Sequence, residues 1–437
     1  MITCKEEVDR KDIDFPVYQR QLLQAVYREN HRVIAALVTS VPYAIGWEKQ
    51  HLPAILTMAG GGMELGNGLA DILFGKEAPA GRLNMTWYCD TEQLPDMDDY
   101  DIIQKERTYQ YFKGDVLYPF GYGLTYAPTE ITALTAKASE DEKYIDVACT
   151  VRNLGQTGNA LPAQDEVVQI YYTKKEPVVK RPIRTLAAFE RVKRMEAGEE
   201  RRVSFRIPVE DLMYYDTIRR KKLLEPGIYE IQAGHSSNDI DAVVTVELKG
   251  QERGSRDGGS WQPADHYDRS QNGFLWEGHM GYDSVAHTAD AHAPEDLFEK
   301  VGGMWQNINE VTREEKAGER LDDCLILEYD CVCLPMETAY LVLDADAVPE
   351  STVDVFINGA HNAAYIVPDF EELSGAGDNP GWAAAATAKN APHGRIFRQL
   401  MIPVENLEAE KEPVTLRLRC QGDLKICRWR FAKESTK

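Results

Sequence analysis

The sequence of 437 residues has no run of ~18–20 uninterrupted apolar residues, the length a membrane-spanning helix needs, so no segment reads as transmembrane. Its first residues, Met1-Ile2-Thr3-Cys4-Lys5-Glu6-Glu7, lack the basic start and apolar core of a secretory signal, and a cytoplasmic location is the resulting expectation. Positive charge is scarce: 49 Lys and Arg against 71 Asp and Glu leave a formal net charge of −22, which opposes binding to nucleic acid and to anionic membranes. Neutral ligands are compatible with that field. The eight cysteines (4, 89, 149, 324, 331, 333, 420 and 427) have no paired C-x-x-C spacing, and Cys331-Val332-Cys333 would put both thiols on one strand face. They read as reduced thiols packed as small apolar side chains, not as a zinc site or a disulfide framework. Gly60-Gly61-Gly62 lacks the Lys-Ser/Thr that would complete a phosphate loop. No pattern implies a metal or a cofactor.

The length suffices for about three domains, and the periodicity changes accordingly. From Asp14 to Gly75, helix and strand alternate: residues 17–30 and 66–74 have helical spacing, while 32–40 and 52–58 are β-rich. Such alternation suggests parallel βαβ units. The run Val33-Ile34-Ala35-Ala36-Leu37-Val38 has no polar alternation, as expected of a strand covered on both faces. Two or three strands make an incomplete doubly wound sheet, which implies an exposed edge or a covering partner.

Across 129–249 the period becomes two, in 144–151, 166–172 and 202–207, with turn signals at Asn153-Leu154-Gly155, Ala197-Gly198 and Pro226-Gly227. Short strands so spaced argue for a β-sandwich. Residues 250–260 are polar and glycine-rich and read as a linker. A last domain, 261–437, has strand patterns at 324–329, 353–359, 414–420 and 427–431.

The most informative stretch is Tyr118-Pro119-Phe120-Gly121-Tyr122-Gly123-Leu124-Thr125-Tyr126, whose rings, glycines and proline fit neither a regular helix nor a central strand, only a packed turn. Before it stand, in order, Gly61-Gly62-Met63-Glu64-Leu65-Gly66, Leu73-Phe74-Gly75, Pro79-Ala80-Gly81-Arg82-Leu83, Thr86-Trp87 and Arg107-Thr108-Tyr109. These blocks resemble glycoside hydrolase family 3, specifically the end of its α/β-sandwich domain. Pro226-Gly227-Ile228-Tyr229-Glu230-Ile231-Gln232-Ala233-Gly234 and Leu186-Ala187-Ala188-Phe189-Glu190-Arg191-Val192 are similar to the fibronectin type III-like domain that follows it in many members. The expected architecture is therefore multidomain α/β plus all-β: a truncated α/β sandwich over 1–128, a fibronectin type III-like β-sandwich over 129–249, and a C-terminal β-sandwich. The last of these resembles a galactose-binding-like jelly roll of the kind found in carbohydrate-binding modules.

Retaining glycosidases use two carboxyl groups about 5–5.5 Å apart. The resemblance implies a nucleophile on a TIM barrel that has no counterpart in this sequence. It also implies an acid/base Glu three residues before an Asp-Arg pair, which is Glu6 before Asp9-Arg10, or Glu7 if the loop shifts by one. A carboxyl group suits that role because burial against a sugar and a nearby anion raises its pKa. Without the resemblance, Glu6 and Glu7 read as solvated carboxylates near a chain end. Arg107 and Trp87 could line a cleft by stacking and pairing, or pack in the core. Glu64 reads as a carboxylate serving a helix start. The bases between Lys174 and Lys222 read as solvated strand faces. Trp261, Trp276, Trp305, Trp382 and Trp429 are candidate sugar platforms, each more readily read as core, Trp429 above all.

The implied function is the C-terminal portion of a retaining hydrolase of β-glucosides or β-xylosides. Its partners would be an oligosaccharide or β-glycoside and a separate barrel polypeptide, with no nucleic acid and no membrane. The alternatives are a non-catalytic carbohydrate-binding scaffold and a gene fragment.

Overall fold

The computed structural model describes residues 10, 12–95, 102–155, 162–264, 267–271, 273–276, 298–301, 304–307, 310–313, 324–335, 338–347, 350–368, 396–404, 412–422 and 424–433. Helix α1 (Val17–Glu29) stops at Asn30, whose N–H still reaches Val26 O. It leads to β1 (Ile34–Val38), α2 (Gly46–His51), β2 (Ala54–Met58) and α3 (Leu65–Leu73). Strands β1 and β2 pair in parallel, Ile34 opposite Ala54 and Val38 opposite Met58, with α2 in the crossover as parallel pairing requires. Among the described residues that sheet has two strands.

The expectation that β1 is covered on both faces does not hold. Ala35 is buried, but Ile34 and Val38 are 53% and 59% exposed, and α1 buries none of its residues. No described element covers the outer face, so apolar side chains that would be interior in a full sheet lie open.

Short β3 (Trp87–Tyr88) pairs with β4 (Val116–Tyr118), with α4 (Thr108–Tyr111) between them. A seven-stranded sandwich follows. Strands β5 (Thr129–Ala138), β6 (Tyr144–Asn153) and β9 (Glu200–Pro208) form one sheet. The other has the order β13 (Asp239–Leu248), β12 (Gly227–Ser236), β7 (Gln164–Lys174) and β8 (Thr185–Met195). Strict alternation aims Ile145, Val147, Cys149 and Val151 inward against Val168, Ile170, Tyr229 and Ile231 of the facing sheet. The basic stretch is only partly a solvated face: Lys174 and Arg181 are buried against Glu225, at 3.5 and 3.7 Å.

A second compact unit comprises Arg253–Lys437 together with Tyr215–Lys222, the latter mostly a ribbon of β10 (Tyr214–Asp216) and β11 (Lys221–Leu223). The division between the units falls within the 250–260 stretch read as a linker, and from Arg253 onward that stretch packs with the second unit. Arg253 and Arg256 are buried, and β14 (Arg256–Asp257) pairs with β21 (Leu325–Cys333). The reason is electrostatic, since a buried guanidinium needs counter-charges. Arg253 Nε donates to Asp216 at 3.1 Å and its Nη2 to Asp268, while Arg256 Nη2 donates to Asp268 at 3.2 Å and to Thr217 at 2.9 Å.

Among the described residues, two six-stranded sheets make up most of this unit. One runs β14, β21, β26 (Val414–Gln421), β23 (Thr352–Ile357), β24 (Ala360–Ile366), with β16 (Arg269–Gln271) also on β21. The other runs β17 (Gly273–Trp276), β20 (Glu310–Arg313), β27 (Leu424–Ala432), β22 (Tyr340–Ala347), β25 (Ile396–Pro403), with β15 (Gln262–Pro263) on β27. They share one apolar core centred on Trp429, Tyr329 and Phe431. A hairpin of β18 (Phe298–Val301) and β19 (Met304–Asn307) stands apart.

Candidate functional site

The aromatic turn is locked on both sides. Gly121 has φ +82°, and a Cβ there would lie 2.1 Å from Gln169 Oε1; one on Gly123 would lie 2.2 Å from Gly81 O. Only glycine fits such approaches. Gly121 N donates to Leu83 O at 2.7 Å, and Leu83 N to Tyr122 O at 2.8 Å, so the Pro79-Ala80-Gly81-Arg82-Leu83 block is stitched to the turn. Phe120 stacks on Tyr109 (4.2 Å, 13°), whose edge meets Tyr171 and whose hydroxyl accepts from Leu186 N at 3.1 Å. Tyr126 donates to Ile72 O at the end of α3. The separate sequence blocks thus converge on one turn.

Glu6, Glu7 and Asp9 lie outside the described residues. Arg10, the second half of the Asp-Arg pair, donates from Nη2 to Pro42 O at 3.0 Å and covers the Tyr43 ring at 4.7 Å. Three residues on, Ile13 packs with Ala44 and Tyr88. The Tyr88 hydroxyl accepts from Thr108 N at 2.9 Å. Burial raises the pKa of this phenol, opposed by that hydrogen bond and by the neighbouring Arg107 charge. The segment carrying Ile13 and the Arg107-Thr108-Tyr109 block therefore meet at Tyr88. Trp87, read from sequence as a possible cleft residue, is 4% exposed and packs against Phe15, Ile45 and Leu117. Its ring has no face free for a ligand.

Glu64 stands at the start of α3 and accepts from the Asn67 amide one turn on, without capping a backbone N–H. Trp429 is fully buried, and Trp261 lies under the guanidinium groups of Arg428 and Arg430, at 4.3 and 4.8 Å. The side chains of Trp276 and Trp305, and all of Trp382, fall outside the described residues.

Sequence reading missed a buried polar junction. Glu166, 1% exposed, accepts from Arg82 Nη2 at 2.6 Å and Thr129 Oγ1 at 2.9 Å, and lies 3.3 Å from His235 Nδ1. His235 Nε2 lies 3.0 Å from Asp241, which also accepts from Ile131 N. Burial pushes the Glu166 carboxyl up, but the His235 hydrogen bond and the Arg82 charge outweigh it and hold the group ionised. Burial pulls His235 down, while its bond to Glu166 and the charges of Glu166, Asp241 and Asp239 hold it above the ordinary histidine value. A carboxylate so fully paired cannot serve as a proton donor; it ties the α/β region to the sandwich. The available signal was a charge on the inward parity of β7, beside Val168 and Ile170. Gln164 adds an amide clamp, accepting from Ala127 N at 2.9 Å and donating to Ala127 O at 2.8 Å. Among the described residues no group of three His, Cys, Asp or Glu could hold a metal ion, and no helix is long and apolar enough to cross a membrane.

Residues 1–126 match the family model of the glycosyl hydrolase family 3 C-terminal domain, and residues 166–237 that of the fibronectin type III-like domain. A xylan 1,4-β-xylosidase of Xylanibacter ruminicola is 34% identical over 241 residues, covering 55% of this chain and 27% of the xylosidase. A β-glucosidase of Kluyveromyces marxianus is 30% identical over 256 residues, covering 56% of this chain and 29% of that enzyme. The crystal structure of the Kluyveromyces marxianus β-glucosidase matches with a TM-score of 0.51 and 28% identity, over 56% of this chain and 31% of that one. For a Bifidobacterium adolescentis family 3 β-glucosidase the TM-score is 0.51 at 28% identity, over 56% of this chain and 37% of that one. The chain thus spans roughly a third of the length of the relatives it matches.

Proposed function

Because this chain carries the glycosyl hydrolase family 3 C-terminal domain over residues 1–126 and a fibronectin type III-like domain over residues 166–237, we propose that it is the C-terminal portion of a retaining glycoside hydrolase acting on β-glucosides or β-xylosides. One observation carries the reading: similarity to a β-xylosidase and a β-glucosidase extends over more than half of the chain, through the α/β region and the sandwich. In this reading Glu6 is the acid/base, with Glu7 as the alternative. Arg10, four residues after Glu6, is anchored on Pro42 and Tyr43, and Arg107 contacts the substrate in the same reading. The nucleophile comes from a barrel on polypeptide outside these 437 residues. Open apolar surface supports such a complement: Tyr18 and Leu22 on α1, and separately Ile34 and Val38 on β1, are all more than half exposed. Grouped apolar side chains left in water are candidate contact surfaces for protein.

The test is hydrolysis of aryl β-glucoside and β-xyloside by the chain alone and with a family 3 barrel polypeptide. Activity confined to the mixture, and falling ~10²–10⁴-fold in Glu6→Gln, is expected of a lost general acid/base. Turnover by the chain alone, or a mixture indifferent to both Glu6→Gln and Glu7→Gln, refutes the reading. A second reading, a carbohydrate-binding scaffold with a jelly-roll C-terminal module, is favoured by the second unit, most of which lies beyond the residues that the two family models match. Sugar binding with inactivity in every mixture would select it.

A further inference from the structure

A cleft of about 350 Å3 lies within the first unit, where β4 and the aromatic turn face the β12–β13 hairpin. One wall is a bent aromatic surface: Tyr118 and Tyr122 have centroids 5.0 Å apart and planes inclined by 35°. Lys49 covers one face of Tyr118, its ammonium 4.8 Å from the ring centroid and committed to Leu117 O at 2.6 Å. Asn238 and Asp239 from the hairpin turn, and Asp115 before β4, also line the cleft. All three side chains are exposed, and none makes a hydrogen bond to a described residue.

The two turns are held in place before any ligand arrives. Ser237 N donates to Phe120 O at 2.9 Å, tying the hairpin turn to the aromatic turn. Gln169 Nε2 donates both to Gly121 O at 3.0 Å and to His235 O at 2.5 Å, and Arg184 donates to Ser237 O. Preorganisation of this kind lowers the ordering cost of binding. Burial raises both phenols above the ordinary tyrosine value, so they stay neutral donors at physiological pH.

The chemistry selects a ligand class. Free carboxylates beside an already committed ammonium disfavour anions, and the polar rim disfavours a wholly apolar ligand. Flat ring surface flanked by carboxylate, amide and phenol suits a molecule with an apolar C–H face and hydroxyls around its edge. The volume is at the lower end of the ~300–1,000 Å3 range of small-ligand sites. We propose that this cleft binds a neutral saccharide, one sugar ring lying against Tyr122 beside the Lys49-covered Tyr118, with its hydroxyls taken by Asp239 and Asn238. This uses only groups on the present chain and requires no turnover, so it stands apart from the catalytic reading.

The test is a titration of the full 437-residue chain with cellobiose and with xylobiose, read by saturation-transfer NMR. Binding of at least one is expected. Asp239→Asn should weaken it about tenfold, as loss of a charged hydrogen-bond acceptor does, and adding Asn238→Ala should weaken it further. Both side chains are exposed and make no hydrogen bond, so melting curves should shift little, the Asp239 charge being the smallest of the contributions that hold up His235. Tyr18→Ala, on the open face of α1, should leave affinity unchanged. Absence of binding by both sugars, full affinity in the double variant, or equal weakening by Tyr18→Ala each overturns the assignment. Failure of the hydrolysis assay with this binding intact would sink the catalytic reading and leave the cleft standing.

Discussion

Arg82→Met probes the polar junction most directly. Arg82 is 8% exposed and Glu166 1%, so the substitution leaves a buried carboxylate without its nearest cation. Breaking one side of a buried ion pair costs about 3–5 kcal/mol. The hydroxyl of Thr129, Val167 N and His235 remain within 3.3 Å of Glu166, which places the loss at the low end, about 3 kcal/mol. That corresponds to about 150-fold in the folding equilibrium and to a melting shift of about 6–12 °C for a unit of this size. The pH dependence gives the loss a signature. The folded pKa of His235 is raised above its ordinary 6.5. Stability from its protonation is thus fully present below that value and lost as pH rises through the folded pKa. With Arg82 gone, His235 is the remaining cation for Glu166, so the deficit should be smaller near pH ~5.5 than near pH ~8. The assay is urea unfolding of the full chain at both pH values, followed by hydrogen exchange in the β7 peptide, which assigns the transition to the first unit. The double variant Arg82→Met/Glu166→Met should recover much of the loss, since no unpaired charge is left. A deficit equal at both pH values, or a double variant no better than the single, would refute the reasoning.

Gly121→Ala should cost about 3 kcal/mol or more, because positive φ adds to a collision with Gln169 that three hydrogen bonds hold in place. Gly198→Ala, at φ +81° with nothing within 4 Å of the new Cβ, should cost about 1 kcal/mol; equal urea midpoints for the two would disprove the steric part. Burial pushes the Cys149 thiol up to about 11, so at pH ~8 its modification by a thiol reagent should wait for unfolding. Rapid labelling of Cys149 in the folded chain would contradict its placement in the sandwich core.

The helices and strands with a clean period were legible: residues 17–30 became α1 at Val17–Glu29, and 144–151 the centre of β6. The aromatic turn could be read as a turn because its residue types exclude the alternatives. Its docking partners could not, since Gln164 and Gln169 look like ordinary strand polars until the turn covers β7, and Glu166 shows only as a charge on the inward parity, without its partners. Tyr171 shows the same limit: it lies opposite Ile170 and Tyr172 on the strand yet is fully buried, because Tyr109 and the turn supply a second interior there. Composition failed at Arg253 and Arg256 for a related reason, as their counter-ions Asp216 and Asp268 are distant in sequence. The reach of β1 was misjudged because an apolar run records what a strand is made to touch, and nothing described here touches its outer face.

The discontinuity of the second unit bears on how this chain can be rearranged. Tyr215–Lys222 belongs with Arg253–Lys437 although the strands on either side of it belong with the first unit. A cut after Lys249 would hand Arg253 to one fragment and leave Asp216 in the other, stranding a guanidinium that the fold has already removed from water. Neither part is therefore a cassette that recombination or cloning can excise at a single point. Exchange that preserves both must move them together, or carry the Tyr215–Lys222 ribbon across with the downstream sandwich.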